Sequence, residues 1–347
     1  MKKIILTFIF LLTFTSFAQD IDKQISQKII LGFNGNSVNS KGFKDILKQV
    51  QKDEISGVIL FQKNIKSKEE LIKMNEALQN ASKTPVFIAI DNEGGKIQRF
   101  DFYKYKSAKE VSKSSLDEAK KEYSRMADDL SELKINFNFA PCVDLSLEKN
   151  SIISKKERSY GDNPKIVSDY SKIFIEEMNK KNIITSIKHF PGHGNTKDDT
   201  HKGFVNSTET FLDKELEPYS LLKSYDKMNT VMVSHIFNKN FDEKYPASLS
   251  KKTIDFLKND IGFKGVIVSD DLDMGAIKKN YSLKEIIEKT TTSGVDILIF
   301  SNNIGAKNKN LAKKIHKIIK EEIKKGNIQK EDIETSYKKI MALKETL

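Results

Sequence analysis

The chain has 347 residues, with 59 Lys and Arg against 48 Asp and Glu, so its formal net charge is +11. Its hydrophobic fraction of 38% is too high for a disordered chain, and its single cysteine excludes a disulfide framework or a cysteine-cluster metal site. The lysines are spread along the whole sequence rather than concentrated in a basic stripe, so we expect no nucleic-acid partner.

The first 18 residues form a predicted secretory signal peptide. A positive start at residues 1–3 is followed by an almost unbroken apolar run over residues 4–14. The run is shorter than the ~20 residues that a membrane-spanning helix needs, and no cysteine follows it to carry a lipid. Cleavage after Ala18 would leave a mature domain over residues 19–347. We therefore expect an exported protein, periplasmic or secreted, with no stable membrane anchor.

Eight short apolar runs alternate with amphipathic helical stretches along the rest of the chain. Most of the runs are continuous in apolar residues, which is typical of parallel strands covered on both faces. The predicted strands lie at 29–33, 57–61, 86–90, 136–140, 184–188, 231–235, 266–269 and 296–300. Predicted helices include 68–81, 114–133, 164–182 and 283–292, and the Lys-rich tail at 307–347 is expected to add two helices outside or below the strands.

This alternation predicts an α/β protein with a (β/α)8 TIM barrel, because eight β–α units fit a chain of this length. No linker rich in Pro, Gly or Ser divides the sequence, so we expect a single domain with extra C-terminal helices. A doubly wound open sheet is the alternative, since the number of strands does not prove that the sheet closes.

Polar side chains cluster after the predicted strands, at the end of a barrel that carries the active site. Four of the five histidines belong to this set, at 189, 193, 201 and 235. Asp91, Arg99, Arg158, Lys188 and His189 form a group rich in hydrogen-bonding atoms, which suits a sugar, and its cations would also accept an anionic substituent. Each cation could equally belong to a structural ion pair.

The loop after the fifth strand contains Asp199, Thr200 and His201. A carboxylate two residues before a histidine can accept a hydrogen bond from one ring nitrogen, which fixes the tautomer and raises the basicity of the other nitrogen. Asp199 and His201 are therefore candidates for acid/base catalysis, although an exposed histidine with a chance acidic neighbour would give the same pattern. Asp270 ends the seventh strand and could be a nucleophile, a base, a metal ligand or a structural helix cap.

These motifs together resemble glycoside hydrolase family 3, and within it the single-domain β-N-acetylglucosaminidases (β-N-acetylhexosaminidases) of bacterial peptidoglycan recycling. The matching segments are DNEGG at 91–95, NFNFAPCVDL at 136–145, ERSYGDNP at 157–164, KHFPGHG at 188–194, Asp199-Thr200-His201, PASLS at 246–250 and SDDLDMGAI at 269–277. The departures are mild: Asn92, Lys96, Tyr160 and Thr200 stand where Gln, Arg, Phe and Ser are common in that family.

The resemblance implies a retaining exo-β-N-acetylglucosaminidase that removes terminal β-linked GlcNAc from muropeptides or related oligosaccharides. It assigns the nucleophile to Asp270 and the acid/base to His201, with Asp199 as its partner. It assigns sugar binding to Asp91, Arg99, Arg158, Lys188 and His189. It implies no cofactor and no metal, and we expect a monomer whose partner is the carbohydrate substrate.

Three other functions stay open on the sequence alone. A metal-dependent hydrolase could use the same histidines and aspartates, but no recognised ligand spacing is present. A non-catalytic muropeptide-binding protein is disfavoured because the candidate catalytic residues are intact. A phosphorylase would use the same residues with phosphate in place of water, and nothing in the sequence excludes it.

Overall fold

The computed structural model describes residues 21–197, 200, 203–302 and 310–347. In this part of the chain, eight parallel strands form a sheet in the order β7-β6-β5-β4-β3-β2-β1-β8. They are β1 (Ile29–Gly32), β2 (Gly57–Leu60), β3 (Phe87–Ile90), β4 (Phe137–Asn138), β5 (Ile184–Phe190), β6 (Thr230–Val233), β7 (Val266–Ser269) and β8 (Leu298–Phe300). The predicted signal peptide lies outside the described residues and stays a prediction.

The sheet closes into a barrel because β7 also contacts β8. Val268 and Ile297 form a parallel bridge, and the Ser269 amide donates to the Ile297 carbonyl oxygen at 2.9 Å. On the same seam, the Ser269 hydroxyl oxygen accepts from the Ile299 amide at 3.0 Å. The predicted (β/α)8 barrel is confirmed. The doubly wound alternative is wrong, because an open sheet would leave β7 and β8 as separate edges.

Helices alternate with the strands and cover the outside of the barrel. Residues 21–27 are helical, and the later helices are Lys41–Gln51, Lys68–Asn80, Ala108–Val111, Leu116–Glu132, Ile152–Lys155, Pro164–Asn179, Glu217–Leu222, Lys251–Asn259, Gly275–Lys278, Leu283–Ser293, Leu311–Lys324 and Lys330–Lys344. The four predicted helices at 68–81, 114–133, 164–182 and 283–292 agree with these bounds within three residues. None of the described helices has the length and apolar character needed to cross a membrane.

The fourth strand is shorter than its apolar run predicts. Only Phe137 and Asn138 keep strand geometry. At its start, the Asn136 backbone still bonds to both neighbours, donating to the Ile88 carbonyl oxygen at 3.2 Å and accepting from the Ile184 amide at 2.9 Å. The Asn136 side chain adds two bonds, since its Oδ1 accepts from the Ile88 amide at 2.8 Å and its Nδ2 donates to the Val86 carbonyl oxygen at 2.9 Å. A side-chain amide thus continues the bonding beside a very short strand, which a hydrophobic pattern does not reveal.

The segment after β4 ends where the helix Pro164–Asn179 begins, and a cap at Asn163 sets that point. The Asn163 side chain accepts from the Lys165 and Ile166 amides, and Pro164 occupies the first helical position, where its missing amide would have had no partner. This helix therefore begins C-terminal to Arg158. The arginine stays in irregular backbone, from which its side chain reaches the barrel mouth.

The inside of the barrel and the space beneath the helices form two hydrophobic cores. Successive side chains of a strand point to opposite faces, so Ile30 belongs to the inner core and Leu31 to the outer one. The other strand residues of the inner core are Ile59, Phe87, Ala89, Phe137, Ile184, Met232, Val266, Val268 and Ile299, with Phe139 directly after β4 and Ile297 directly before β8.

The C-terminal helix Lys330–Lys344 closes the barrel at the amino ends of the strands. Its Ile340 and Leu343 belong to the inner core. Lys344 Nζ lies 4.5 Å from the centre of the Phe87 ring and donates to the Ser56 carbonyl oxygen at 3.1 Å. The prediction of two helices in the tail, outside or below the barrel, agrees with this arrangement. With the base filled, access to the interior is left to the carboxyl ends of the strands.

Candidate active site

A cavity of about 250 Å³ lies at the carboxyl ends of the strands. Its apolar lining includes the inward-facing Ile59, Phe139, Met232 and Ile299. Its polar lining comes from the carboxyl end of β5 and from segments after other strands, and contains Asp91, Arg99, Arg158, Lys188, His189, Asp270 and Asp271. All the sequence-predicted site residues that the structure describes therefore line one cavity. A larger, shallower groove of about 550 Å³ beside the helix Leu311–Lys324 contains none of them.

Lys188 joins two carboxylates at the side of the cavity. Its Nζ lies 2.8 Å from Asp91 Oδ1 and 2.7 Å from Glu93 Oε1, and its side chain is only 2% exposed. Burial alone would lower the pKa of Lys188, but the two carboxylates outweigh burial and raise the pKa above its usual value. The ammonium group therefore stays charged at neutral pH.

Glu93 connects Lys188 to Arg158. Arg158 Nε and Nη2 donate to the two Glu93 oxygens at 2.8 and 2.7 Å, a bidentate pair that fixes the plane of the guanidinium. Burial would raise the pKa of Glu93, but Arg158 and Lys188 lower it well below its usual value. Glu93 is not among the predicted site residues. Arg158 is 65 positions away in the chain, and only the barrel brings the two together.

Asp91 is held between two cations at the edge of the cavity. Besides its contact with Lys188, it accepts from Arg99 Nη2 at 3.2 Å through Oδ2. Burial would raise the pKa of Asp91, but Lys188 and Arg99 lower it. The Arg99 guanidinium in turn lies 5.9 Å from the centre of the Phe61 ring. Asp91 is therefore an ionised acceptor, still 19% exposed toward incoming ligands.

His189 lies between Arg158 and Asp144. Arginine can only donate, so the 3.2 Å contact from Arg158 Nη2 makes His189 Nε2 an acceptor. We infer that the proton sits on Nδ1, which donates to Asp144 Oδ2 at 2.6 Å. Burial would raise the pKa of Asp144, but its interactions with His189 lower it to about 2. Asp144 follows β4 and is a further site residue beyond those predicted, with its position after a strand as the available signal.

The possibility of a metal centre can be tested on these same residues. Among the described residues, Cys142, Asp144 and His189 are the group whose ligand atoms all lie within 4.8 Å of one another. However, His189 Nδ1 and Asp144 already bond each other, and the cationic Arg158 contacts the same imidazole. A metal ion would have to displace that proton and face the guanidinium, so the geometry favours a hydrogen-bonded His189–Asp144 pair over a metal centre at this group.

Asp270 directly follows β7 and lines the cavity. Its amide donates to the Val233 carbonyl oxygen of β6 at 3.0 Å, and its Oδ1 accepts from the Asp271 amide at 2.7 Å. The next helix begins at Gly275 with Met274 as its N-cap, so Asp270 is not a helix cap. This removes the structural explanation that the sequence leaves open for this residue.

Asp271 braces the turn that carries Asp270. Its Oδ1 accepts from the Ser301 amide at 2.8 Å and from the Asp273 amide at 3.0 Å, which ties the end of β7 to the end of β8. Burial raises the pKa of Asp271 to about 6, even though these amides favour the ionised form. The two adjacent aspartates thus have different surroundings, since Asp271 accepts from the Ser301 and Asp273 amides and Asp270 accepts from the Asp271 amide.

Asp199 and His201 lie outside the described residues, so their predicted roles stay predictions. Thr200 between them is described and buried, and its carbonyl oxygen accepts from the Ala276 amide at 3.2 Å. The Thr200 hydroxyl lies 3.4 Å from Nε2 of His193, and burial lowers the pKa of that histidine to about 4. The chain at Thr200 therefore lies between the segments after β5 and β7, at the same end of the barrel as Asp270.

Sequence comparison places this barrel in a known family. The family model "Glycosyl hydrolase family 3 N terminal domain" matches residues 21–343. A β-hexosaminidase from Actinobacillus pleuropneumoniae serotype 3 (strain JL03) is 31% identical over 260 residues, which cover 72% of this chain and 74% of that protein. A β-hexosaminidase from Xylella fastidiosa (strain M23) is 28% identical over 264 residues, covering 72% of this chain and 77% of its own.

Solved structures share the architecture. A family 3 β-N-acetylglucosaminidase from Paenibacillus sp. str. FPU-7 superposes with a TM-score of 0.83 at 27% identity, over 94% of this chain and 62% of that one. This chain thus spans less than two thirds of that protein. The β-N-acetylglucosaminidase from Thermotoga maritima has a TM-score of 0.78 at 23% identity, over 93% and 67% of the chains, and shows the fold alone. The resemblance indicated by the motifs is confirmed, and the chain belongs to glycosyl hydrolase family 3.

Proposed function

We propose that this glycoside hydrolase is a β-hexosaminidase, and more closely a retaining exo-β-N-acetylglucosaminidase. Its substrates would be terminal β-linked GlcNAc residues of muropeptides or related oligosaccharides. The relatives named β-hexosaminidase support the coarser activity. The observation that carries the finer proposal is the cavity, in which Asp270 faces the same space as Asp91, Arg99 and Lys188.

The size and lining of the cavity support removal of one terminal sugar. Its volume of about 250 Å³ lies at the small end of ligand sites, which are roughly 300–1,000 Å³, and suits a single ring better than a chain. Ionised Asp91 can accept from sugar hydroxyl groups, and Arg99 and Lys188 can donate to them. Because each charge already has a partner, these groups are oriented before the sugar arrives. Phe61 lines the cavity and is only partly buried, so it offers an aromatic surface in a chain that has no Trp.

In the proposed mechanism, Asp270 attacks the anomeric carbon while the glycosidic C–O bond breaks and His201 gives a proton to the leaving oxygen. A covalent glycosyl-enzyme results. Water then attacks the same carbon, His201 takes up the water proton, and Asp270 departs as a carboxylate. Two displacements retain the configuration. A histidine starts near pKa ~6.5, so it can serve as both acid and base near neutral pH, and Asp199 would fix its tautomer.

The experiment that tests the nucleophile is labelling with a mechanism-based fluorosugar. We expect the label on Asp270, and we expect Asp270→Ala to lose about 10⁴-fold or more in kcat while remaining folded. Asp255→Asn, at an exposed aspartate paired with Lys251 on an outer helix, is the matched control and should keep full activity. A label on another carboxylate, or substantial turnover by Asp270→Ala, would refute the assignment.

A second experiment tests the acid/base. His201→Ala should damage substrates with poor leaving groups most, because an activated phenolate leaves without protonation. Azide needs no general base and should restore turnover of the activated substrate. Asp199→Asn should show the same pattern more weakly, since the imidazole remains. Equal small losses on both substrates without azide rescue would remove His201 from the mechanism.

Export is proposed on the sequence of residues 1–18. Removal of the predicted signal peptide should give an N-terminus near Gln19 or Asp20 in protein isolated from the native host. Intact-mass measurement of that protein checks this, and a retained Met1 would contradict it.

A further inference from the structure

We propose that His235 is a positioning residue for Asp270, acting through the backbone of Asp271 and with Ser248 as its partner. The proposal rests on the proposed function, in which Asp270 is the nucleophile. His235 is 0% exposed and is not among the described residues that line the cavity. It therefore acts on the reaction without touching the substrate.

The hydrogen bonds of His235 determine its tautomer. Its Nε2 lies 2.8 Å from the Asp271 carbonyl oxygen, and its Nδ1 lies 2.7 Å from the Ser248 hydroxyl oxygen. A carbonyl oxygen can only accept, so Nε2 carries a proton. In the neutral ring, Nδ1 then accepts from the Ser248 hydroxyl group. Ser248 thus selects the tautomer that is able to hold Asp271.

Ser248 is fixed relative to the same strand end. It is fully buried in the short 3₁₀ turn Ala247–Leu249, and its amide donates to the Ser234 carbonyl oxygen at 3.0 Å. Ser234 directly precedes His235, so the serine and the imidazole are anchored to one piece of backbone. This makes the pair a rigid support that extends from the end of β6 toward the end of β7.

The supported turn is the one that carries Asp270. The Asp270 amide is bonded to Val233 of β6, and the Leu272 amide donates to the Ile299 carbonyl oxygen of β8 at 2.9 Å. The His235 bond to Asp271 lies between these two. Without it, the turn would lose a tie to the β6 side and keep its ties to β8, so the Asp270 carboxylate would be free to shift. A misplacement of about 1 Å can cost about 10²-fold in rate.

The test compares kcat/KM of four variants, each expressed per active site that the fluorosugar can label. His235→Ala removes the support, and His235→Gln restores an N–H donor for the Asp271 carbonyl. Ser248→Ala removes the partner of the ring. Thr230→Val is the matched control, because Thr230 is a buried residue of β6 whose hydroxyl donates to the Thr185 carbonyl oxygen at 2.8 Å, away from Asp271. Each preparation is first titrated with the fluorosugar.

For His235→Ala, we expect kcat/KM per titrated site to fall about 10²-fold, by the same factor for aryl glycosides with good and poor leaving groups. A displaced nucleophile slows every glycosylation alike. His235→Gln should recover to within about fivefold of wild type, and Ser248→Ala should lose about tenfold, on the order of one buried hydrogen bond. Thr230→Val should lower Tm and leave the rate per site unchanged.

Two results would overturn the proposal. A rate per site equal to wild type in His235→Ala would make His235 a structural core residue only. A loss confined to poor leaving groups, with recovery by azide, would make it the acid/base itself. If His235→Ala does not fold, Ser248→Ala decides, and an unchanged rate per site there rejects the proposal. A label away from Asp270 in the wild type would instead refute the proposed nucleophile.

Discussion

Buried lysines at the two ends of the barrel have opposite electrostatic surroundings. At the mouth, Lys188 contacts two carboxylates, and these raise its pKa in spite of burial. At the base, Lys344 contacts the Ser56 carbonyl oxygen and the face of the Phe87 ring, and burial lowers its pKa to about 7. Both side chains are almost fully buried. One is nevertheless firmly charged, and the other is half neutral at neutral pH.

Lys28 at the base shows which factor decides. Its Nζ donates to the Val295 carbonyl oxygen at 3.0 Å and to the Ser336 hydroxyl oxygen at 2.7 Å. The Asp296 carboxylate is connected to it through the Ser336 hydroxyl, which donates to Asp296 Oδ1 at 2.9 Å. Burial still lowers the pKa of Lys28 to about 8. Close contact with a carboxylate, rather than the degree of burial, therefore decides whether a buried lysine stays charged here.

The charged groups at the mouth of the barrel can serve ligand binding, whereas the buried lysines at the base are only tolerated by the fold. The ion pairs at the mouth present fixed charges to a polar ligand, although buried pairs add little to stability over apolar residues of the same shape. Removing one partner there should be costly because the other charge is stranded. Removing a lysine at the base should relieve the free-energy cost of burying an ammonium group without a carboxylate in contact. The two ends should therefore respond in opposite directions to the same substitution.

The largest expected effect is that of Lys188→Met. It removes the ammonium group that Asp91 and Glu93 share and leaves two buried carboxylates close together. We therefore expect a loss of about 3–5 kcal/mol in the free energy of unfolding. The loss of a donor from the cavity should lower kcat/KM by about 10³-fold. Urea unfolding and hydrolysis of a chromogenic β-N-acetylglucosaminide measure the two effects. A variant as stable as the wild type would show that the mouth does not depend on its ion pairs.

Glu93→Gln should have a smaller effect with a defined pH dependence. It removes the anion between Lys188 and Arg158, with an expected loss of about 2–3 kcal/mol at pH 7 and about 10²-fold in kcat/KM. Because the folded pKa of Glu93 lies below its usual value of 4.5, its contribution is present above pH 4.5 and lost as the pH falls further. Urea unfolding at pH 7 and pH 3.5 should show a smaller difference between the two proteins at the lower pH, where part of this contribution is lost. A constant difference would contradict the ionic explanation.

Lys344→Met should stabilise the protein and leave its activity unchanged. With a folded pKa of about 7 against 10.5 in the unfolded chain, only the unfolded state takes up a proton between those values. The amount by which buried Lys344 lowers the free energy of unfolding therefore grows as the pH falls from 10.5 to 7, and it is constant below pH 7. We expect a gain of about 1–3 kcal/mol in the free energy of unfolding at pH 7 that has largely vanished at pH 10.

Lys338→Met, on the exposed face of the same helix, is the control and should change stability by less than about 0.5 kcal/mol. Equal losses at both pH values would mean that Lys344 supports the base.

The smallest effect is expected for Lys28→Met. Relief of the buried ammonium group is offset by the loss of its bonds to Val295 and Ser336, so the net change should stay within about 1 kcal/mol. Thermal unfolding beside Lys344→Met measures the difference. A gain as large as that of Lys344→Met would show that these two hydrogen bonds contribute nothing.

The barrel and the kinds of polar residue at its mouth could be predicted from the amino-acid sequence alone. Both follow from local patterns, since apolar runs mark the strands and parallel strands bring the residues that follow them to one end. That is why Asp91, Lys188 and Asp270 could be predicted to share a site. The same reasoning overestimated β4, in which only Phe137 and Asn138 keep strand geometry.

Which charged groups meet, and which ionisation state each keeps, depends on the folded arrangement of the chain. Glu93 and Arg158 are 65 positions apart, and His235 and Asp271 are 36 apart, so no local pattern indicates either pair. Lys188 and Lys344 both stand beside apolar residues in the sequence, yet their pKa values move in opposite directions. The physical reason is that ionisation depends on distances of a few ångströms to groups from other strands and helices, and packing alone sets those distances.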